Sequence, residues 1–213
     1  MPVSELESRQ SKLSISLAEA GIESVYIDDP VELYWLAGGR QSSAILIGAD
    51  GSGIEARHWV RRSLERAEYE AGRGDCPHIV ESHPRMGDLE ASLLGAGCTR
   101  GPGLLAGKIP YEHWSYFDSK LGELRGNSDD CTKLLYALRE TKSDWEISMI
   151  RESGEVNRSM FEAIRDCGGL GMTELEMAGA ADEVSRSAGF GGRIRMRKWP
   201  MDCDRVVIAA GRS

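Results

Sequence analysis

Three arginines alternate along Arg193-Ile-Arg-Met-Arg-Lys-Trp199. Residues two apart on a β-strand share a face, so Arg193, Arg195 and Arg197 would line one side of a strand. A guanidinium is a planar fork of donors that matches a carboxylate. Arg195 and Arg197 are therefore candidate substrate-binding residues, suited to a carboxylate. The same alternation also suits an exposed strand whose charge resists pairing with another chain.

Other chemistry-bearing residues read more plainly. Asp202-Cys203-Asp204 sets two carboxylates on one face of a strand, but a metal site needs further ligands and no His or Glu stands nearby. Gly101-Pro-Gly103-Leu-Leu-Ala106 spells GxGxxA, yet it precedes an apolar run instead of joining a strand to a helix, so it reads as a loop. The four histidines, His58, His78, His83 and His113, show no metal-ligand spacing and read as surface or satisfied core residues. Asn157-Arg-Ser159 spells a glycosylation sequon inside a predicted helix. No GxSxG turn and no phosphate-binding loop is present. The residue chemistry alone leaves the active site unmarked.

The elements that would position these residues alternate between strand and helix. Glu5 to Ala20 reads as a helix with Leu6, Leu13 and Leu17 on one face, a capping box from Ser4 and Glu7, and a stop at Gly21. Ser24–Asp28 reads as a buried strand. Asp29 and Pro30 open a short helix that ends at Gly38-Gly39. Ser43–Ile47 and Gly53–Trp59 form a hairpin across Asp50-Gly51. A charged helix over 61–71, a strand at His78–Val80, a helix over 86–94, a strand at Leu104–Ala106 and a helix over 111–124 follow. This order predicts a mixed sheet covered by helices. The loop-like Gly126–Asp130 places the domain boundary at 130, giving domains 1–130 and 131–213. Beyond it, Ser143/Glu146 and Thr173/Glu176 are capping boxes that open two helices, and Arg193–Trp199 and Arg205–Ala210 read as strands.

Composition excludes several classes of function. The 213 residues carry 26 Lys and Arg against 34 Asp and Glu, a formal net charge of -8. Nucleic acid and anionic membranes favour a basic surface, so neither is an expected partner. The five cysteines are odd in number and widely spaced, which points to reduced thiols. The charged N-terminus lacks the apolar core of a signal peptide, and no apolar run approaches the roughly 18 residues of a membrane span. A cytoplasmic protein is the expectation.

A resemblance sharpens this reading. Leu138-Arg-Glu-Thr-Lys142-Ser-Asp-Trp-Glu146-Ile-Ser-Met-Ile150-Arg resembles the R-x-x-K-x-x-x-E-I-x-x-I-R segment that opens the catalytic domain of the creatinase, aminopeptidase P and prolidase family. Gly171-Met-Thr173-Glu174-Leu-Glu176-Met-Ala178 resembles that family's G-x-T-E-x-E-x-A helix start, and Arg205–Gly211 resembles the strand that leads into its active site. The first half is similar to the creatinase N-terminal domain in element order.

The resemblance implies an α/β fold: a creatinase N-terminal-like mixed sheet flanked by helices, followed by an incomplete "pita-bread" α+β domain. It implies dimerisation and a role in shaping a substrate cleft. A complete family member binds two divalent metal ions, Mn, Co or Zn, through two Asp, one His and two Glu, and cleaves the bond before proline. No residue of this sequence matches those ligands, which follow the strand resembling Arg205–Gly211. The expectation is the N-terminal, dimerising and cleft-shaping portion of an Xaa-Pro metallopeptidase, with no cofactor and no activity in this chain. The alternative is a naturally short, non-catalytic homologue that binds a peptide or carboxylate as a homodimer. A half-built pita-bread sheet would leave an open edge and uncovered apolar helix faces, so residues 140–213 are expected to pack less completely than 1–125 or to be covered by another chain.

Overall fold

The computed structural model describes residues 1–39, 41–72 and 74–191. The chain divides into two compact units, Met1–Thr141 and a second that begins at Lys142. The division falls later than position 130 for a physical reason. Thr132–Glu140, to which the sequence reading assigns no element, is a helix (α6) whose Leu135 is fully buried in the first unit's core. Leu134 and Leu138 pack against the same core.

The first unit is a four-stranded sheet with helices on both faces. Helix α1 (Val3–Glu19) buries Leu6, Leu13 and Leu17 completely. It starts at Val3 behind Pro2 with no side-chain cap, so Ser4 lies inside the helix and the expected capping box does not form. Strand β1 (Ser24–Ile27) leads to α2 (Pro30–Ala37). Asp29 Oδ1 accepts from the amides of Val31 and Glu32 at 3.0 and 3.1 Å, and Gly38 ends the helix at a φ of 76° that favours glycine.

Strands β2 (Ser43–Gly48), β3 (Arg57–Val60) and β4 (Ile79–Ser82) complete the sheet in the order β1-β2-β3-β4. β1–β2 and β2–β3 are antiparallel; β3–β4 is parallel, joined through α3 (Leu64–Glu70). Every residue of β1 and β2 is buried, which explains their continuous apolar runs. Val25, Ile27, Ile45 and Ile47 share one core with α1, α2 and α6. Tyr26, Ala44, Leu46 and Trp59 share a second with Leu89, Leu93, Phe117 and Leu121.

Two expected elements change form. Leu104–Ala106 makes no full strand; the segment contributes only single bridges, Val25 with Gly103 and Leu104 with Asp130. The helix expected over 111–124 ends at Asp118 (α5, Tyr111–Asp118) and resumes as a 3-10 turn at Gly122–Leu124. Between β4 and this helix, a 3-10 turn at Met86–Asp88 leads into α4 (Leu89–Gly95).

In the second unit α7 (Asp144–Cys167) and α8 (Glu174–Ser187) pack against each other. Both predicted capping boxes form: Ser143 with Glu146 and Thr173 with Glu176. Helix α7 buries none of its residues, and α8 buries only Ala181 and Ser185. Among the described residues no helix is long and apolar enough to cross a membrane.

Candidate functional site

β2 runs opposite to both β1 and β3, and β4 runs with β3, so β1, β3 and β4 point the same way. Their carboxyl ends lie along one side of the sheet, where open α/β sheets bind ligands. The residue directly after each strand is polar: Asp28 after β1, Arg61 after β3 and His83 after β4.

Hydrogen bonds tie Arg61 to His83, and Asp28 acts on Tyr26 and His83 through its charge. His83 Nδ1 contacts the Pro84 carbonyl at 2.6 Å, so Nδ1 carries the proton and Nε2 is an acceptor. That acceptor receives the Tyr26 hydroxyl at 3.0 Å and Arg61 Nη2 at 3.1 Å. His113 of α5 reaches Asp28, with Nε2 and Oδ2 3.0 Å apart. Trp59 stands beside His83 with ring centroids 6.3 Å apart, and its Nε1–H donates to Glu81 at 2.7 Å. Arg57 donates to the same oxygen at 3.1 Å.

The electrostatics hold Tyr26 and His83 in their neutral forms near neutral pH. Burial, reinforced by the Asp28 carboxylate, pushes the Tyr26 phenol well above its usual range, so it remains a donor. Burial lowers the pKa of His83 against the opposing hydrogen bond to Pro84, with Arg61 adding to the decrease, so the imidazole is neutral. Arg61 is exposed, and its guanidinium is open to an anionic group. The arrangement suits recognition of a small charged molecule: Arg61 for a carboxylate, Asp28 for an amine.

A second charged group is structural. Glu32 of α2 is fully buried and takes Arg139 of α6 at 2.6 and 2.7 Å through its two oxygens. Lys108 pairs with the same carboxylate and reaches Asp29 Oδ1 at 3.2 Å. Arg9 and Arg139 both lie over the Trp35 ring, 5.0 and 5.9 Å from its centroid. A buried carboxylate held this way has no open coordination side, and the group fastens α6 to α2.

Arg195 and Arg197, with Arg193, Asp202–Asp204 and the strands expected at 193–199 and 205–210, lie outside the described residues. Gly101–Ala106 is a packed loop: a Cβ on Gly103 would sit 2.3 Å from Cys131 Sγ, so glycine there serves close packing. His58 and His78 are core residues, and Asn157 is exposed on α7. The donor sets present do not fit the two metal ions of the resemblance; among the described residues no three His, Cys, Asp or Glu side chains gather for a metal. His83 has both ring nitrogens engaged, and His113 stands with one carboxylate only. The sequence reading missed Asp28, Arg61 and His83. Their available signal was position, each falling at or just beyond the end of a predicted strand.

No family model matches the sequence, and no curated protein matches it. Solved structures do. An Xaa-Pro dipeptidase from Bacillus anthracis matches with a TM-score of 0.73 at 18% identity, over 86% of this chain and 50% of that one. The dipeptidase PepE from Mycobacterium ulcerans matches with a TM-score of 0.71 at 18% identity, over 90% and 52%. An Xaa-Pro aminopeptidase P structure from Streptococcus thermophilus matches over 63% of this chain and 98% of its own, with a TM-score of 0.51 and 12% identity. The chain thus spans about half the length of the first two relatives. At these identities the likeness establishes the fold alone, and for the four-stranded mixed sheet flanked by helices it is the fold the sequence resemblance implied.

Proposed function

We propose that this chain forms the N-terminal, dimerising and cleft-shaping portion of a metal-dependent Xaa-Pro peptidase, without peptidase turnover as the 213-residue chain. The observation that carries this reading is the Asp28–Arg61–His83 cluster at the carboxyl ends of three like-directed strands, in a fold shared with Xaa-Pro dipeptidases. In this reading Arg61 meets the carboxylate of a peptide and Asp28 its amine, and Arg195 and Arg197, outside the described residues, are kept as proposed carboxylate-binding residues from the sequence pattern alone. The segment from Lys142 begins a pita-bread domain, the domain for which the resemblance implies two metal ions in a complete family member. The lack of turnover follows from the resemblance, in which no residue of this sequence matches a metal ligand.

A second reading, a non-catalytic dimeric peptide- or carboxylate-binding protein, draws on the same cluster, because its groups bind without supplying a metal or a nucleophile. One set of measurements tests both. Ala-Pro and Ala-Ala are titrated into labelled protein and followed by NMR at Arg61 and His83. Hydrolysis is assayed with Mn2+, and self-association is followed by sedimentation. Shifts with Ala-Pro that vanish in Arg61→Ala, a dimer, and no hydrolysis support the peptidase-portion reading. Equal shifts with both peptides favour the general binding protein. No shift at the cluster sinks both, and hydrolysis overturns the claim of no turnover.

A further inference from the structure

The buried pair His58 and His78 lies apart from the carboxyl-end cluster, and its hydrogen bonds fix where each ring carries its proton. His58 of β3 is 1% exposed and His78, just before β4, is 7% exposed. Gln10 Nε2 contacts the Leu36 carbonyl and His78 Nδ1, both at 2.8 Å. A carbonyl only accepts, so the Gln10 amide must present its NH2 there. Its second hydrogen then points to His78 Nδ1, which must be the unprotonated nitrogen. The neutral ring carries its proton on Nε2, and that N–H has no partner among the described residues.

The reverse holds for His58. The single hydroxyl hydrogen of Ser43 donates to the Gln41 carbonyl at 3.1 Å. Ser43 Oγ therefore accepts from His58 Nε2, 2.8 Å away. His58 Nδ1 is then a bare acceptor, and it too is buried without a partner among the described residues. One ring offers an unpaired donor and its neighbour an unpaired acceptor. Their centroids are 5.4 Å apart with the rings at 78°.

We propose that one water molecule is an integral part of this core, accepting from His78 Nε2–H and donating to His58 Nδ1. Two hydrogen bonds of about 2.9 Å each reach across rings at this separation. The result is a chain of bonds with one direction, from Gln10 through His78, the water, His58 and Ser43 to the Gln41 carbonyl. It joins α1 to β3 and β2. A divalent metal is not the occupant. Coordination at His78 Nε2 would move the ring proton to Nδ1 and set it against the Gln10 N–H. Burial also keeps both rings neutral, with pKa values of about 4 for His58 and about 3 for His78.

The test uses the full chain without substitution. Long-range 15N–1H NMR at pH 7 reads both tautomers, and cross-relaxation from the His78 ring N–H detects a long-lived water. Both rings in the Nε2–H form, with a water contact at His78 and imidazole signals unmoved by added Zn2+, is the expected result. An Nδ1–H tautomer in either ring, absence of the water contact, or Zn2+-induced shifts of both rings would overturn the proposal. A crystal structure resolving ordered solvent checks the same position independently.

Discussion

Acidification from pH 7 to pH 5 should destabilise the first unit through His58 and His78. Their folded pKa values, about 4 and about 3, lie below the ordinary 6.5 because burial penalises the charged ring. The unfolded chain therefore binds protons that the folded chain refuses. Stability from these groups is present above pH 6.5 and is lost as the pH falls toward their folded values. At pH 5 an unfolded imidazole is about 97% protonated, while either buried ring remains largely neutral. The linkage amounts to about 2 kcal/mol per ring between pH 7 and 5, or roughly 4 kcal/mol for the pair. That is a large share of a typical stability of about 5–15 kcal/mol. Urea unfolding followed by fluorescence of the buried Trp59 should show the midpoint falling by about 2 M, taking a slope near 2 kcal/mol per M. The double variant His58→Gln/His78→Gln should lose most of this pH dependence, whatever its stability at pH 7. A wild-type midpoint that moves by less than about 0.5 M, or a double variant with the full slope, refutes the reasoning.

Three further outcomes are expected. Glu32→Ala should lower stability by about 3 kcal/mol, because it strands two partly buried cations around a removed buried carboxylate; a thermal melt showing a negligible change would mean the pairing with Arg139 and Lys108 is not held in solution. Gly103→Ala should destabilise by about 1–3 kcal/mol through overlap with Cys131 Sγ, and adding Cys131→Ala should recover part of the loss; additive effects would place the strain elsewhere. Amide hydrogens of α7, which buries no residue, should exchange faster than those of β1 and β2; equal protection would contradict the packing difference between the units.

Legibility of the fold tracked how locally each feature is encoded. Asp29, Pro30 and Gly38 mark α2 at both ends, and Ser143/Glu146 marks the start of α7, since these signals act within a few residues. The Ser4/Glu7 pattern misled because Pro2 and the docking of Leu6 start α1 at Val3, two residues before Glu5. Helix α6 was invisible for the opposite reason: its place is set by Glu32, more than a hundred residues away, gripping Arg139. The cluster at the strand ends was hidden in the same way. Nothing local in His83 announces that its Nε2 will meet Tyr26 and Arg61; only strand direction brings the three together. The segment carrying Arg195 and Arg197 offered the plainest chemical pattern in the sequence.

The grip of Arg139 on Glu32 decides where the chain can be cut. A fragment ending at Asp130 discards Arg139 and Leu135 together. It keeps a sealed carboxylate with Arg139, one of the two cations that hold it among the described residues, gone, and opens the apolar core that Leu135 closes. Such a piece would be a poor portable module, prone to stick to its neighbours. Ending at Thr141 costs only a few more residues and carries the whole clasp along. The segment after the loop at Gly126–Asp130 is thus a latch belonging to what precedes it, and the domain ends where the latch does.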